Sequence, residues 1–216
     1  LGNWDLCDNL IYPSDVSGMF FGATEMLKYY PETPEINNNR FIFYPLNNEI
    51  IRDGVQDPSN YGPILNDWDV TRVDNMSQVF KDTTINQAIY SWDVSHVTNM
   101  SQMFMNSGFN EDISGWIVSK VGNMEAMFLN SQFDKYIGDW NTSQLTTMEV
   151  MFKECSFNQD INNWNVSIVT NMFSTFYNNK LFNKDISGWI VENVRTMEKM
   201  FLGAENFNQD ITNWNV

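Results

Sequence analysis

Asp160, Asp185 and Asp210 lie 25 residues apart, and Asp112 and Tyr136 fall at the matching places 48 and 24 residues before Asp160. Carboxylates brought into a column about 5 Å apart repel one another. Such a column must be solvated, held by the backbone N–H groups of a turn, or bridged by a cation such as Ca²⁺, whose ligands are oxygens. These three aspartates are the metal candidates of the chain, and no other cofactor is expected. His96 is the single histidine and stands where other copies of the same pattern carry Arg72, Lys120, Gln144 and Ile168, which reads as a position facing solvent. Cys7 and Cys155 are far apart, and Cys155 takes a place held by Ser107 and Ser131 in neighbouring copies. A small buried thiol is expected there, without a disulfide framework. No nucleophile and base pair, Gly-rich phosphate loop or His/Cys cluster is legible, so an enzyme is not expected. Four Asn-x-Ser sequons, at Asn75, Asn99, Asn141 and Asn165, matter only in a eukaryotic secretory pathway.

What positions these residues is a repeat. Trp recurs at 68, 92, 116, 140, 164, 189 and 214, every 24 or 25 residues. A period in this range marks one supersecondary unit stacked on copies of itself, each unable to bury its apolar face alone. Counting from each Trp, an apolar residue stands at −7 (Ile85, Phe109, Phe133, Phe157, Phe182, Phe207) and Ile at −3 (Ile89, Ile113, Ile137, Ile161, Ile186, Ile211). After it come mostly Val at +2, Val or Leu at +5, Met at +8 (Met76, Met100, Met124, Met148, Met172, Met197) and Phe at +12.

Trp and the +2 residue alternate with polar or small residues, which predicts a short half-buried strand. Position +3 is Thr71, Ser95, Ser119, Ser143 and Ser167, types that cap a helix start, with Glu192 in the sixth copy. Positions +5, +8 and +12, widened by Met103, Met127, Met151 and Met200 at +11, then fall on one stripe of a helix of roughly three turns. The expected fold is an α/β, leucine-rich-repeat-like solenoid with one short parallel strand and one short helix per unit. Residues 64–216 would hold six repeats and the start of a seventh, spanning roughly 30 Å at a strand spacing of about 4.8 Å.

The pattern in Phe157-Asn158-Gln159-Asp160-Ile161-Asn162-Asn163-Trp164-Asn165-Val166-Ser167-Ile168-Val169-Thr170-Asn171-Met172 closely resembles the BspA-like repeats of surface proteins, first catalogued as a domain of unknown function in mycoplasma lipoproteins. The resemblance covers about residues 64–216. It implies an extracellular, cell-surface or virion-surface location and a binding or adhesion role, with no common ligand and no catalytic residues to carry over.

Residues 1–63 lack the period and contain all six prolines. Met19-Phe20-Phe21-Gly22-Ala23-Thr24-Glu25 echoes Met200-Phe201-Leu202-Gly203-Ala204-Glu205, and Asn3-Trp4-Asp5-Leu6 echoes Asp67-Trp68-Asp69-Val70. This region reads either as an irregular N-terminal cap built on a degenerate repeat with an insertion, or as a cap from which Asn37 to Tyr61 emerges as a ligand-binding loop. The formal charge is −15 with only 12 basic residues, which disfavours nucleic acid as a partner. No apolar run reaches the length of a membrane span, and no signal-peptide pattern opens the chain. Since a solenoid end needs a cover, further repeats or another subunit are expected against the C-terminal unit.

The residue at −6 is Asn86, Asn110, Asp134, Asn158, Asn183 and Asn208, a column suited to satisfying backbone groups of the adjoining unit. If Trp and +2 point inward, −1 and +1 point outward. The outward pairs are Asp67 and Asp69, Ser91 and Asp93, Gly115 and Ile117, Asp139 and Asn141, Asn163 and Asn165, and Gly188 and Ile190. This acidic, amide-rich face is the candidate site for a protein or glycan. A spacer or lattice subunit of an envelope or virion surface is the alternative, and the alternation of Asp, Ile and Asn at +1 favours binding.

Overall fold

The computed structural model describes Glu35–Asn37, Arg40–Ile42, Ile50–Gln56 and residues 65–216. Cys7, the repeat echoes at 3–6 and 19–25, and most of the stretch from Asn37 to Tyr61 lie outside the described residues. Strand β1 (Glu35–Asn37) pairs antiparallel with β2 (Arg40–Ile42), Ile36 opposite Phe41. Helix α1 spans Ile50–Gln56, and a 3₁₀ turn spans Leu65–Asp67.

From Trp68 onward each unit is built from turns, and the expected strand and helix are both replaced. In the third unit the N–H of Trp116 returns to Ile113 O (3.1 Å) and that of Val121 to Val118 O (2.9 Å). The segment around the Trp is therefore folded on itself, and pairing between units begins further along. The N–H of Gly122 donates to Thr98 O of the preceding unit (2.9 Å), and Asn123 forms isolated parallel bridges with Asn99 and Thr147.

Where a helix was expected, donors alternate in direction. The N–H groups of Met124, Ala126, Phe128 and Asn130 reach Thr147, Glu149, Met151 and Lys153 of the next unit at 2.9–3.3 Å. Between them, Met127, Leu129 and Ser131 donate to Met124, Ala126 and Phe128, each closing a four-residue turn at 3.2 Å. Ala126 (φ 53°) and Asn130 (φ 50°) take the left-handed conformation that the third residue of a type II turn requires. The same two places are left-handed in every unit, from Gln78 and Asp82 to Lys199 and Gly203.

The spacing between units explains why no helix forms. Phe rings at +12 stack on their neighbours with centroids 5.2 Å (Phe80 and Phe104) to 5.7 Å (Phe128 and Phe152) apart. An α-helix with its side chains is about 10 Å across, so helices cannot follow one another at that step. Turns that export every second N–H can, and they present apolar residues with the same i, i+3 and i+4 recurrence.

Three aromatic columns fill the interior. Trp rings stack at 6.2–6.5 Å, shown by Trp116 on Trp140 and Trp189 on Trp214. Phe at −7 stacks at about the same step, with Phe133 on Phe157 at 6.3 Å. Phe128 also meets Phe133 at 4.2 Å, tying two columns together. The indole N–H explains why Trp stands where other repeats carry leucine. Trp92, Trp116, Trp140, Trp164, Trp189 and Trp214 donate Nε1–H to the carbonyls of Leu65, Ile89, Ile113, Ile137, Ile161 and Ile186 in the preceding unit, at 2.7–3.2 Å. Each ring thus covers apolar area and satisfies a buried acceptor.

Helix α1 lies over the first unit. Ile51 and Val55 join the same core, Arg52 Nη2 donates to Ser77 O (2.7 Å), and Gln56 Nε2 to Lys81 O (3.2 Å). The equivalent carbonyls of the second unit, Ser101 and Met105, accept N–H groups of the first. One helical turn separates Arg52 from Gln56, which lets their side chains stand in for two backbone donors.

Met76, Met100, Met124, Met148 and Met172 are fully buried, as are the Phe residues at +12 through Phe176, whereas Met197 and Phe201 are half-buried. Phe128→Ala should cost about 3–5 kcal/mol in denaturant unfolding; a cost below 1 kcal/mol would show that the column does not hold the units together. Val150 is left-handed (φ 47°), a conformation that a β-branched residue adopts only under strain. Val150→Asn should therefore raise stability by about 1 kcal/mol, and a fall in the unfolding midpoint would contradict the strain.

Candidate functional site

The outward face consists of the residues on either side of each Trp. Asp67, Ser91, Asp93, Gly115, Ile117, Asp139, Asn141, Asn163, Asn165, Gly188 and Ile190 are exposed and Asp69 is half-buried, while the intervening Trp92, Trp116, Trp140, Trp164 and Trp189 are buried. The inward and outward alternation holds although the local backbone is a turn.

The +1 residue also has a task that its type did not reveal. The N–H of Thr71, Ser95, Ser143 and Ser167 donates to the side-chain oxygen of Asp69, Asp93, Asn141 and Asn165 at 3.0–3.1 Å. Capping therefore runs from +1 to the N–H at +3, the reverse of the expected capping by a +3 hydroxyl. The sequence signal was Asx two residues before Ser or Thr, the signature of an Asx turn. Ile117 and Ile190 have no oxygen to offer.

The aspartates at −4 behave alike. Asp112, Asp160, Asp185 and Asp210 each accept the N–H two residues on, from Ser114, Asn162, Ser187 and Thr212, at 2.9 Å. That backbone bond, followed by the side chain of the same residue, holds the carboxyls of Asp112, Asp185 and Asp210 below the ordinary value of 3.8. Among the described residues, no group of three or more His, Cys, Asp or Glu side chains is placed to hold a metal ion. In the fourth unit Tyr136 replaces the aspartate, and its hydroxyl donates to Asp139 Oδ1 at 2.9 Å, which raises the phenol's pKa.

The −6 column satisfies backbone groups of the adjoining unit. Asn86, Asn110, Asp134, Asn158 and Asn183 accept the N–H of Asn110, Asp134, Asn158, Asn183 and Asn208 at 2.7–3.0 Å. Gln159 and Gln209 add second bonds to Asp134 and Asn183 at 2.8 Å.

His96 meets more than expected. Its Nδ1 lies 3.2 Å from Ser95 Oγ, and the Ser95 hydroxyl and then its N–H hold Asp93 below the ordinary carboxylate range. Asp93 and His96 both engage Ser95, so the carboxylate does not orient the imidazole as a catalytic triad would require. Arg72, His96 and Lys120 at +4 form a short exposed basic strip beside the acidic residues of the first units, and Gln144 and Ile168 continue it without charge. Burial pushes the Cys155 thiol up to about 11, with Ser131 Oγ at 3.7 Å, which leaves it unreactive near neutral pH.

The sequence pattern of the family described as Mycoplasma protein of unknown function, DUF285, matches residues 55–156 and 130–216. The chain belongs to this family. The two DUF285 matches overlap and between them take in all six units and helix α1's last residues. No curated protein and no solved structure matches the chain.

The −4 aspartates set a pH response. The folded values of Asp112, Asp185 and Asp210 lie below 3.8, so the stability these three contribute is present above that value and is lost as pH falls through the range beneath it. The melting temperature should drop in that window, and Asp185→Asn with Asp210→Asn, which keeps an acceptor without the charge, should flatten the drop. Superimposable acid curves for parent and double variant would rule out this contribution.

Proposed function

We propose that this DUF285 chain is a non-enzymatic binding module of the BspA-like surface-protein kind, a solenoid working outside the cell, at a cell surface or on a virion surface. Its ligand is a protein or glycan held on the face formed by the −1 and +1 residues, and the charge of that face favours a basic protein surface. One observation carries this reading. The −1 and +1 places of all units hold no Lys or Arg, yet hold Asp67, Asp69, Asp93 and Asp139 within four adjacent units, nearly all exposed. A spacer has no use for side chains that differ from unit to unit where the interior repeats, and +1 changes between Asp, Asn and Ile while Trp and +8 Met do not.

Asp69→Asn with Asp93→Asn tests the reading without disturbing the fold, because Asn141 and Asn165 already make the same turn-capping bond. With polylysine as a generic basic ligand, the folded double variant should bind more weakly and show a shallower salt dependence. Unchanged affinity and unchanged salt dependence would remove the face from consideration.

A further inference from the structure

Ile117 and Ile190 are 62% and 58% exposed. A single exposed isoleucine needs no explanation. These two, however, occupy the place where Asp69, Asp93, Asn141 and Asn165 each accept the N–H two residues on, so both units forgo a turn cap that four others have. Each also follows a glycine at −1, and neither glycine has a left-handed φ. At Gly115 an added Cβ would meet nothing within 4 Å, so the backbone does not demand glycine there, whereas at Gly188 it would press at 2.9 Å on Asn162 Oδ1, which accepts the Gly188 N–H. The sequence Ser-Gly-Trp-Ile-Val thus recurs at 114–118 and 187–191, and in both copies it exchanges local stability for a bare apolar knob on the outer face.

Between the knobs lie two units whose outer residues are Asp139, Asn141, Asn163 and Asn165, polar throughout and carrying one negative charge. Three unit steps separate Ile117 from Ile190, which is about 19 Å at the 6.2–6.5 Å by which the adjoining Trp rings follow one another. An extended polypeptide rises about 3.3 Å per residue and returns its side chains to one face every second residue. Residues i and i+6 of such a segment reach both isoleucines, and residue i+2 falls over the polar stretch beside Asp139.

We propose that Ile117 and Ile190 are the anchor points of the binding face, and that they take an extended segment of a partner protein with apolar residues at i and i+6 and a lysine or arginine at i+2. This deepens the function proposed above and rests on it. A second copy of this chain fits poorly, because its own outer face would set Asp against Asp.

Two measurements with opposite signs test the proposal. Ile117→Asn and Ile190→Asn restore the missing acceptor, so each should raise the melting temperature, by about 2 °C. The same pair of changes should weaken binding of the synthetic peptide Lys-Leu-Ser-Lys-Ser-Ser-Ser-Leu-Lys at least tenfold in an NMR titration, and a peptide with its second leucine moved by one residue should bind the parent equally poorly. Gly115→Ser, which matches Ser91, should weaken the peptide while leaving the melting temperature unchanged or higher. Equal binding of both peptides, equal binding by parent and double isoleucine variant, or a lower melting temperature in the isoleucine variants would overturn the anchors. If polylysine still distinguishes Asp69→Asn with Asp93→Asn from the parent, the acidic face survives that failure; if it does not, the face falls with the anchors.

Discussion

The step between units, a little over 5 Å at the +12 phenylalanines, is the constraint on which everything else depends. A parallel backbone ladder requires a step of about 4.8 Å, and flat aromatic rings can follow it closely. Rings of neighbouring units lie nearly parallel, as Phe176 and Phe201 do at 1° and Phe133 and Phe157 at 4°. Each unit must then send half of its N–H groups from +8 to +14 forward and keep the rest, and a run of overlapping four-residue turns, left-handed at +10 and +14, meets that demand.

This geometry also arranges the outer face. With the Trp ring inside and its N–H fixed to the preceding unit, the flanking residues are forced outward in every copy, and their side chains form a row at the repeat spacing. Acceptors at +1 and −4 hold the turns on either side of the Trp, so much of the acidity of this protein is structural as well as superficial. An aspartate there both caps a turn and charges the face, and asparagine does the first without the second. Ion pairs contribute little to this arrangement, since those among the described residues, such as Lys180 with Glu205, lie in solvent.

Much of this was legible in the sequence, and the failures have definite causes. Trp116, Ile113, Met124 and Phe128 recur so regularly that burial and stacking follow from spacing alone, and the Asn110 column announced bonds between units. The helix was misread because apolar residues at +8, +11 and +12 satisfy helical periodicity and a chain of four-residue turns equally. The signal that could have separated them, a left-handed residue at +10 and +14, was hidden at +10, where Gln78, Gln102, Ala126, Val150, Ser174 and Lys199 stand, and showed only at +14 in Asp82, Asn106, Asn130, Asn178 and Gly203, types that the conformation favours. The outer face was found from strand alternation, while its capping role was missed because Ser and Thr at +3 look like helix caps until Asp69 and Asp93 are seen to supply the oxygen.

The direction of the exported N–H groups is the most direct test of the account. In an isotope-labelled sample, NMR correlations through hydrogen bonds should link Met100, Gln102, Phe104 and Asn106 to the carbonyls of Asn123, Glu125, Met127 and Leu129 in the next unit. Correlations instead from each of these N–H groups to the carbonyl four residues earlier would mean that the units contain helices, and would contradict the structure on which the binding face is built.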